Sequence, residues 1–435
     1  MDSKIKRLVT NLLSVGTIQI LNYVFPLLTL PIITRIIGPD KFGSINFASS
    51  VVGYFTLFIS YSFGLTAVKE LSANPSNVEA RNQLFSDVFY TRFFLLALST
   101  LVFIYGLSTL NSLKGIEKIL ICTFYTCISF TVSQEWLFQA MQDLSKIAIL
   151  NLISKVIFSV LVLYFINEPE DSYWYALALS IANIGMSLIT FGWAVRRYRL
   201  KFKRINLNRI FSLLWNEKIF FLSICIITFY VNINVIALGL FRTDLEVGYY
   251  SAGIKLISIV QVLIALGLTQ AVFPFISRAF ADGIDIGLLY VRRIMPFIVW
   301  FGFIGGCVIF FGSDIFINFF YGSHFLPAIL VCKILAFLPL IIAVSHIAGT
   351  HVALNLKMQK AFLIINVVGA LICVILNLFL VKKFGYVGSA ISWFLTEFFI
   401  LIMFYFLLKK RGIIFIHLRY FRLKSLAVDL GKIFE

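Results

Sequence analysis

The chain has 435 residues, of which 60% are apolar and only 13% are charged, and its formal net charge is +17. The mean hydropathy of +0.96 excludes an ordinary soluble domain. A basic chain can indicate nucleic-acid binding, but here the charge lies in short loops between apolar stretches, so we expect no nucleic-acid partner. The composition predicts an integral membrane protein whose surroundings are the lipid bilayer.

About twelve apolar stretches follow one another along the chain. Each can cross a bilayer as an α-helix of roughly 20 residues, and stretches without strand alternation exclude a membrane barrel. We therefore predict an all-α, polytopic membrane fold with about 12 transmembrane helices. The predicted spans are 11–36, 43–66, 85–109, 118–138, 147–166 and 173–194 in the first half, then 216–241, 249–274, 293–312, 326–349, 362–381 and 387–408.

Most Lys and Arg residues fall on alternate loops, which places those loops and both termini on the cytoplasmic side. The most basic loop, Arg196 to Arg209, lies near the middle of the chain. We predict an N-terminal six-helix bundle over 1–195, a basic cytoplasmic linker over 196–215, a C-terminal six-helix bundle over 216–408 and a basic cytoplasmic tail over 409–435. An interfacial helix and a solvated segment are both open for the tail.

Two helix exits, one in each half, share a pattern. Gly38 suits a left-handed helix cap, Pro39 prevents continuation, and Asp40 can cap the next helix. Gly43 and Gly248, which lie 205 residues apart, let neighbouring helices approach closely. The pattern indicates two pseudo-symmetric bundles with a substrate path between them. Its sequences are Thr34-Arg35-Ile36-Ile37-Gly38-Pro39-Asp40-Lys41-Phe42-Gly43 and Phe241-Arg242-Thr243-Asp244-Leu245-Glu246-Val247-Gly248, with a third echo in Lys383-Phe384-Gly385-Tyr386-Val387-Gly388-Ser389.

The first of these stretches resembles the polysaccharide transporter family, the Wzx-type O-antigen flippases of the multidrug/oligosaccharidyl-lipid/polysaccharide exporter superfamily. The similarity extends to Phe229-Tyr230-Val231-Asn232-Ile233-Asn234 and to the layout of the spans. It implies that an undecaprenyl-pyrophosphate-linked oligosaccharide crosses the bacterial inner membrane by alternating access between two bundles. It also implies partners such as a polysaccharide polymerase and a chain-length protein. Many members have an acidic residue where this chain has Asn234, which puts ion coupling at that position in doubt.

Charged side chains within apolar spans are the strongest site candidates, because a central charge costs about 2.5 to 3.5 kcal/mol even on the lenient insertion scale. Lys155, Lys255 and Lys333 are the basic candidates, and we expect Lys255 and Lys333 to line a cationic path for pyrophosphate or acidic sugars. Glu397 is the acidic candidate, either for ion coupling or for a structural pair with Lys255 or Lys333. Snorkelling of the lysines is the further alternative.

Polar side chains on shared helix faces form a second group of candidates for substrate binding. They line a cavity for the sugar headgroup or make hydrogen bonds between packed helices, and both readings stay open. This group comprises Asn11, Ser14, Asn22 and Thr29 in the first span, Arg35 at its exit, Tyr230, Asn232 and Asn234 in the seventh span, and Ser389, Ser392 and Thr396 in the twelfth.

No residue pattern indicates catalysis, a metal or a cofactor. All six cysteines lie within apolar spans, the four histidines are scattered, and the outer loops carry no paired acidic motif. Because a polytopic glycan polymerase or glycosyltransferase would need a catalytic outer loop, it is the less favoured alternative. A multidrug or cation exporter of the same superfamily is nearer, but acidic cavity charges would suit it better than lysines.

Overall fold

The computed structural model describes the backbone of residues 3–266 and 273–421. Side chains are described within these ranges except at 3–28, 144–146, 223, 227, 265, 266, 273, 274 and 418. Every regular element in the described ranges is helical, and they contain no strand. The prediction of an all-α fold is therefore confirmed.

Before the basic linker, long helices alternate with short ones. They are α1 (Ser3–Ser60), α2 (Phe63–Ala73), α3 (Val78–Thr109), α4 (Glu117–Phe124), α5 (Thr126–Val132), α6 (Glu135–Ala140), α7 (Leu144–Phe165) and α8 (Tyr173–Tyr198). After the linker follow α9 (Leu207–Phe241), α10 (Asp244–Leu266), α11 (Phe273–Asp282), α12 (Ile284–Phe320), α13 (Ala328–Leu335), α14 (Leu338–His346), a π-helical segment (Ile347–Ala353) and α15 (Gln359–Lys410).

The described part of the chain contains nine helical segments that are long and apolar enough to cross a membrane. Many of their large apolar side chains are exposed, including Leu101 and Ile104 on α3 and Phe311 and Ile315 on α12. In water such a surface would be unfavourable, whereas in a bilayer these side chains face lipid. The protein is therefore a multi-pass membrane protein. The count of 12 transmembrane helices and the symmetry of two bundles stay predictions.

The chain divides into two compact units, Met1–Thr228 and Phe229–Glu435. The boundary between them falls within α9, whose first half packs with the N-terminal unit. The predicted domain limits of 1–195, 196–215, 216–408 and 409–435 stay predictions. The tail is helical up to Lys410 and forms one short turn at Leu418–Phe421, and its residues from 422 onward lie outside the described part.

Two of the longest helices are interrupted at a glycine between predicted spans. In α1 the break is at Gly38, whose φ of 72° was expected, but its ψ of 175° is extended rather than left-handed helical. In α15 the break is at Gly385, with φ 56° and ψ −134°. Both conformations are open mainly to glycine, which explains why these positions carry it.

The break at Gly385 folds α15 back on itself. The Asn377 side-chain amide donates a hydrogen bond to the Ser392 hydroxyl at 2.9 Å, although the two residues are 15 positions apart. In a straight helix that separation would span about 22 Å. The two arms of α15 therefore pack side by side, and Gly388 lies where they come closest, against the backbone of Leu380.

A methyl group at Gly388 is expected to force these arms apart. In Gly388→Ala the new Cβ would overlap the Leu380 carbonyl, which is backbone and cannot rotate away. Such overpacking costs up to about 3 kcal/mol, more than the ~1 kcal/mol that alanine gains in helix propensity. We expect a clear fall in the melting temperature of the detergent-purified protein. Gly192→Ala in α8, where nothing lies within 4 Å, serves as the control, and an equal melting temperature for both variants would contradict the packing described here.

The fourth predicted span of each half is broken as well. Residues 118–138 form three short helices, α4, α5 and α6, rather than one. Residues 326–349 form α13 and α14 and pass into the π-helical segment. Discontinuous helices inside a membrane leave backbone groups that need partners, and in transporters they accompany binding sites. The prediction of a single regular helix over each stretch is therefore wrong, although Ala328–Ala353 is still long and apolar enough to cross a membrane.

The polar loops of the N-terminal unit come together at one end of their helices. Arg209 makes two hydrogen bonds of 2.7 Å with Asp87, which raise the pKa of its guanidinium above the usual value. Lys203 pairs with Glu79 at 2.6 Å, and its backbone N–H donates to Ser86. The basic linker thus packs against the first turns of α3. The linker and the loop that precedes α3, which were both predicted to be cytoplasmic, lie close together.

The C-terminal unit shows the same clustering for loops predicted to lie outside. Arg242 donates to the carbonyls of Val381 and Lys382 at 3.1 and 3.0 Å, just before the break at Gly385. Glu246 accepts the N–H of Tyr386 at 2.9 Å, just after it. The second copy of the repeated pattern therefore contacts the third on both sides of Gly385. The cation of Arg242 binds the end of the preceding helical arm, and the carboxylate of Glu246 binds the start of the next one.

Candidate functional site

A buried polar network joins α9 to both arms of α15 in the C-terminal unit. Its centre is Asn377, whose amide donates to the Asn234 side-chain oxygen and to the Ser392 hydroxyl, both at 2.9 Å. The Ser389 hydroxyl donates to the Asn234 carbonyl at 3.1 Å. Asn234, Asn377, Ser389 and Ser392 are all buried, so these hydrogen bonds form away from water, where they fix the register of the helices.

Glu397 lies next to this network and is also buried, with 5% of its surface exposed. It is within electrostatic range of Tyr230 and Cys373. The network itself contains amides and hydroxyls, while the carboxylate stands at its edge. One amide hydrogen-bonding group remains available, because the Asn234 nitrogen has no hydrogen-bond partner among the described residues. The role of Glu397 in ion coupling stays a prediction.

The structure places the three predicted lysines in different surroundings. Lys255 is the middle residue of α10, and its side chain is partly buried. Lys333 lies at 3.1 Å from Asp314, with 37% and 59% of the two side chains exposed, so its partner is a carboxylate of α12 rather than Glu397. Lys155 on α7 is partly buried and within electrostatic range of Glu135. Their roles in substrate binding stay predictions.

The other predicted site residues are spread over both units. Asn22 lies in α1 at a position whose side chain is outside the described residues. Arg35 and Asp40 are exposed on either side of the break in α1, and Pro39 is partly buried. Asn232 is partly buried in α9, two residues before Asn234. Gly43 and Gly248 are both buried, as close helix packing requires.

A buried arginine in the N-terminal unit was not anticipated from the sequence. Arg92 on α3 is 6% exposed and donates to the carbonyls of Phe130 and Ser133 at 3.3 and 2.9 Å. These carbonyls lie at the end of α5, where the fourth span is interrupted and the helix no longer supplies their partners. The guanidinium also lies 6.0 Å from the Phe63 ring and within electrostatic range of Glu135.

Unsatisfied polar atoms surround this break. Within the described ranges, hydrogen-bond partners are lacking for the Thr91 hydroxyl, the Arg92 Nε, the Gln134 side-chain oxygen and the Trp136 indole nitrogen. Buried polar atoms without partners cost about 1 to 3 kcal/mol each, so such a cluster indicates enclosed water or a bound polar group. A glutamine followed by a glutamate in the fourth span was the signal available in the sequence.

No group of three or more His, Cys, Asp or Glu residues in the described part of the chain could hold a metal ion. His346 and His351 form the one close histidine contact found within the described ranges, with ring centroids 5.4 Å apart.

Solved structures with similar folds are membrane transporters. The structure titled "Lipid II flippase MurJ, inward closed conformation" has a TM-score of 0.73 at 13% sequence identity, covering 97% of this chain and 91% of that one. An inward-facing multidrug resistance MATE family transporter of the MOP superfamily has a TM-score of 0.68 at 13% identity, covering 90% and 94%. At sequence identities this low, the structural similarity shows a shared fold and nothing more.

Sequence comparison gives relatives over nearly the whole length. A protein of Escherichia coli K12 named "Putative O-antigen transporter" is 24% identical over 388 residues, 89% of this chain and 93% of that protein. A protein of the same name from Shigella dysenteriae is also 24% identical, over 401 residues. Residues 8–280, more than half of the chain, match the family described as "Polysaccharide biosynthesis protein". The chain belongs to this family of polysaccharide biosynthesis proteins.

Proposed function

We propose that this protein is a flippase that moves an undecaprenyl-pyrophosphate-linked oligosaccharide from the cytoplasmic to the periplasmic leaflet of the bacterial inner membrane. The repeat unit of an O-antigen or a related surface polysaccharide is the cargo. The basic loops hold both termini in the cytoplasm, and the helical units alternate in opening to the two sides. Its partners in the membrane are the polymerase and the chain-length protein that use the delivered repeat unit.

The observation that carries this proposal is the presence of cations inside apolar helices. Arg92 is buried in α3, and Lys155 and Lys255 are partly buried in α7 and α10. Placing such charges in a membrane is costly, and they mark sites of ion or substrate passage. Moving a negatively charged pyrophosphate through the membrane has a high desolvation cost. These cations lower that cost by pairing with its charge.

The comparisons support the same proposal from another direction. The family is described by polysaccharide biosynthesis, and the relatives are named as transporters of O-antigen. The solved flippase with the same fold acts, by its title, on lipid II. All three concern glycans or glycan-bearing lipids that are handled at a membrane.

The interior charge also favours this proposal over a drug or cation exporter. Lys255 would repel a cationic cargo and attract an anionic lipid headgroup, whereas Arg92 and Lys155 each lie within electrostatic range of Glu135. A membrane glycosyltransferase would need acidic or metal-binding groups at its reaction centre. We therefore assign the protein a transport function without a chemical reaction of its own.

A deletion and complementation experiment tests the proposal. Cells that lack the protein should lose their surface polysaccharide and accumulate the lipid-linked repeat unit, with its sugars facing the cytoplasm. Expression of the intact chain should reverse both effects. If the deletion strain assembles normal lipid-linked repeat units on the periplasmic side, or if the repeat unit is incomplete, the proposed function is wrong.

A further inference from the structure

A cleft of about 280 Å³ lies beside the broken tenth span in the C-terminal unit. Its walls are mainly apolar, but Gln261 of α10 and His346 of α14 also line it. Gln261 is near the middle of the predicted span 249–274, so the cleft reaches into the membrane interior. Its remaining lining residues are Val262, Ile264, Pro339, Ile342 and Ala343.

His346 is held at the cleft by its neighbours along the chain. The π-helical segment Ile347–Ala353 begins directly after it, a geometry that is rare and often found at functional sites. The wider turn places His351, which is fully buried, edge-on against His346 with ring centroids 5.4 Å apart. The His346 Nδ1 has no hydrogen-bond partner among the described residues, so it can accept or donate a hydrogen bond to a ligand in the cleft.

The chemistry of the lining selects the kind of ligand. None of the described residues that line the cleft is Lys or Arg, so this lining does not suit a pyrophosphate. A polyprenyl chain would gain nothing from an amide and an imidazole, which are costly to bury without partners. A sugar ring satisfies both requirements, because its C–H faces pack on apolar side chains while its hydroxyls both donate and accept hydrogen bonds.

The N-terminal unit carries a cleft of about 310 Å³ at matching positions. Thr56 and Leu57 line it and lie 13 and 14 residues after Gly43. Gln261 and Val262 lie 13 and 14 residues after Gly248 and line the other cleft. Phe130 of the broken fourth span also lines the N-terminal cleft, just as residues of the broken tenth span line the C-terminal one. A polar side chain beside an apolar one thus recurs at the same place in both halves.

The geometry points to the cleft of Gln261 and His346 as a subsite for an uncharged sugar ring of the lipid-linked substrate. This inference rests on the proposed function and adds a second, chemically distinct contact to it. The pyrophosphate is attracted by cations elsewhere, whereas a sugar of the headgroup is recognised in the cleft by hydrogen bonds and apolar contact. The cleft therefore distinguishes glycosylated from bare carrier lipid.

Binding to two probes tests the subsite with the purified full-length protein in nanodiscs. The probes are bare undecaprenyl pyrophosphate and the undecaprenyl-pyrophosphate-linked repeat unit extracted from a strain of the same organism that lacks this protein. Gln261→Leu and His346→Leu should each weaken binding of the glycosylated probe about tenfold, the effect of losing a buried hydrogen-bonding group. Binding of the bare probe should stay as in the wild type.

Further variants separate recognition from folding. His346→Gln keeps a donor and an acceptor and should retain most of the binding, while Ile342→Phe should fill the cleft and act like His346→Leu. Ser258→Ala, on the same helix as Gln261, removes a hydroxyl that bonds to its own helix at Ile254 and should change neither affinity. Melting temperatures show whether each variant is folded. If the variants of Gln261 and His346 are unfolded, binding of the glycosylated probe by Ile342→Phe tests the subsite in their place.

The outcomes distinguish the two proposals. If the wild type binds neither probe, the proposed function itself fails. If the wild type binds the glycosylated probe and the folded cleft variants bind it equally well, the subsite is wrong and the proposed function stands. Equal loss of both probes in the cleft variants would also overturn the subsite, because it would place the pyrophosphate or the lipid there instead.

Discussion

Lys255→Glu is expected to abolish export of the surface polysaccharide while the protein is still made in normal amounts. Lys255 is central in α10, and reversal replaces attraction for a pyrophosphate by repulsion. One pair of charges at 4 Å is worth about 4 kcal/mol at an effective dielectric constant of 20, so the reversal should lower transport by more than about 100-fold. Surface glycan is measured by gel and lectin staining, with the membrane amount of each variant determined in parallel.

Two further substitutions make this prediction specific. Lys255→Arg keeps the charge and should preserve a substantial part of export. Lys360→Glu reverses an exposed lysine near the start of α15 and should leave export unchanged. Normal surface glycan in Lys255→Glu cells with normal protein amounts would remove Lys255 from the proposed path.

Arg92→Met is expected to destabilise the N-terminal unit strongly. The substitution fills a similar space but removes the donors that satisfy the carbonyls of Phe130 and Ser133 at the break of the fourth span. Leaving two buried acceptors without partners costs about 1 to 3 kcal/mol each. We expect a loss of stability of about 2 to 6 kcal/mol and a steep fall in the amount of folded protein, measured by gel filtration in detergent and by thermal unfolding.

Arg197→Met provides a matched comparison in the same unit. Arg197 also pairs with protein groups, lying 2.7 Å from Asp143, but 43% of its side chain is exposed. Exposed ion pairs contribute about 0 to 1 kcal/mol, so this variant should fold nearly as well as the wild type. Equal stabilities for the Arg92 and Arg197 variants would show that the break in the fourth span does not depend on the guanidinium.

The helical fold and the positions of several long helices could be predicted because the membrane imposes them. Long apolar stretches have to become helices where the backbone finds no other partner, and α3, α8 and α12 cover predicted spans, as α7 does except for one residue. The positive φ of residue 38 could be predicted because this residue is a glycine, and few other residue types adopt such a conformation. These features follow from local chemistry.

The breaks in the fourth and tenth spans could not be predicted in this way. Tyr125 and Ser133, at which the fourth span is interrupted, are compatible with a helix in isolation. The interruption of the fourth span is stabilised by Arg92, which lies on another helix. The hydropathy of the fourth span does not reveal this contact. Arg92, a cation within the predicted span 85–109, and the glutamine followed by a glutamate in the fourth span were the signals available in the sequence.

The polar network was found only in part for a similar reason. Asn234 was identified from its span, but Asn377, its partner, is 143 residues away along the chain. The cleft of Gln261 and His346 likewise combines two helices that are distant in sequence. Contacts of this kind depend on how helices pack, so the residue types alone left their roles open.

Transport in reconstituted vesicles tests the central claim most directly. The purified protein is placed in liposomes that hold the fluorescently labelled, undecaprenyl-pyrophosphate-linked repeat unit in the inner leaflet, and a membrane-impermeant lectin outside reports its sugars. The sugars should become accessible over time with the wild-type protein, while vesicles with Lys255→Glu should behave like empty ones. Accessibility no faster than in empty vesicles, or conversion of the probe to a longer glycan, would contradict the assignment of this protein as a flippase.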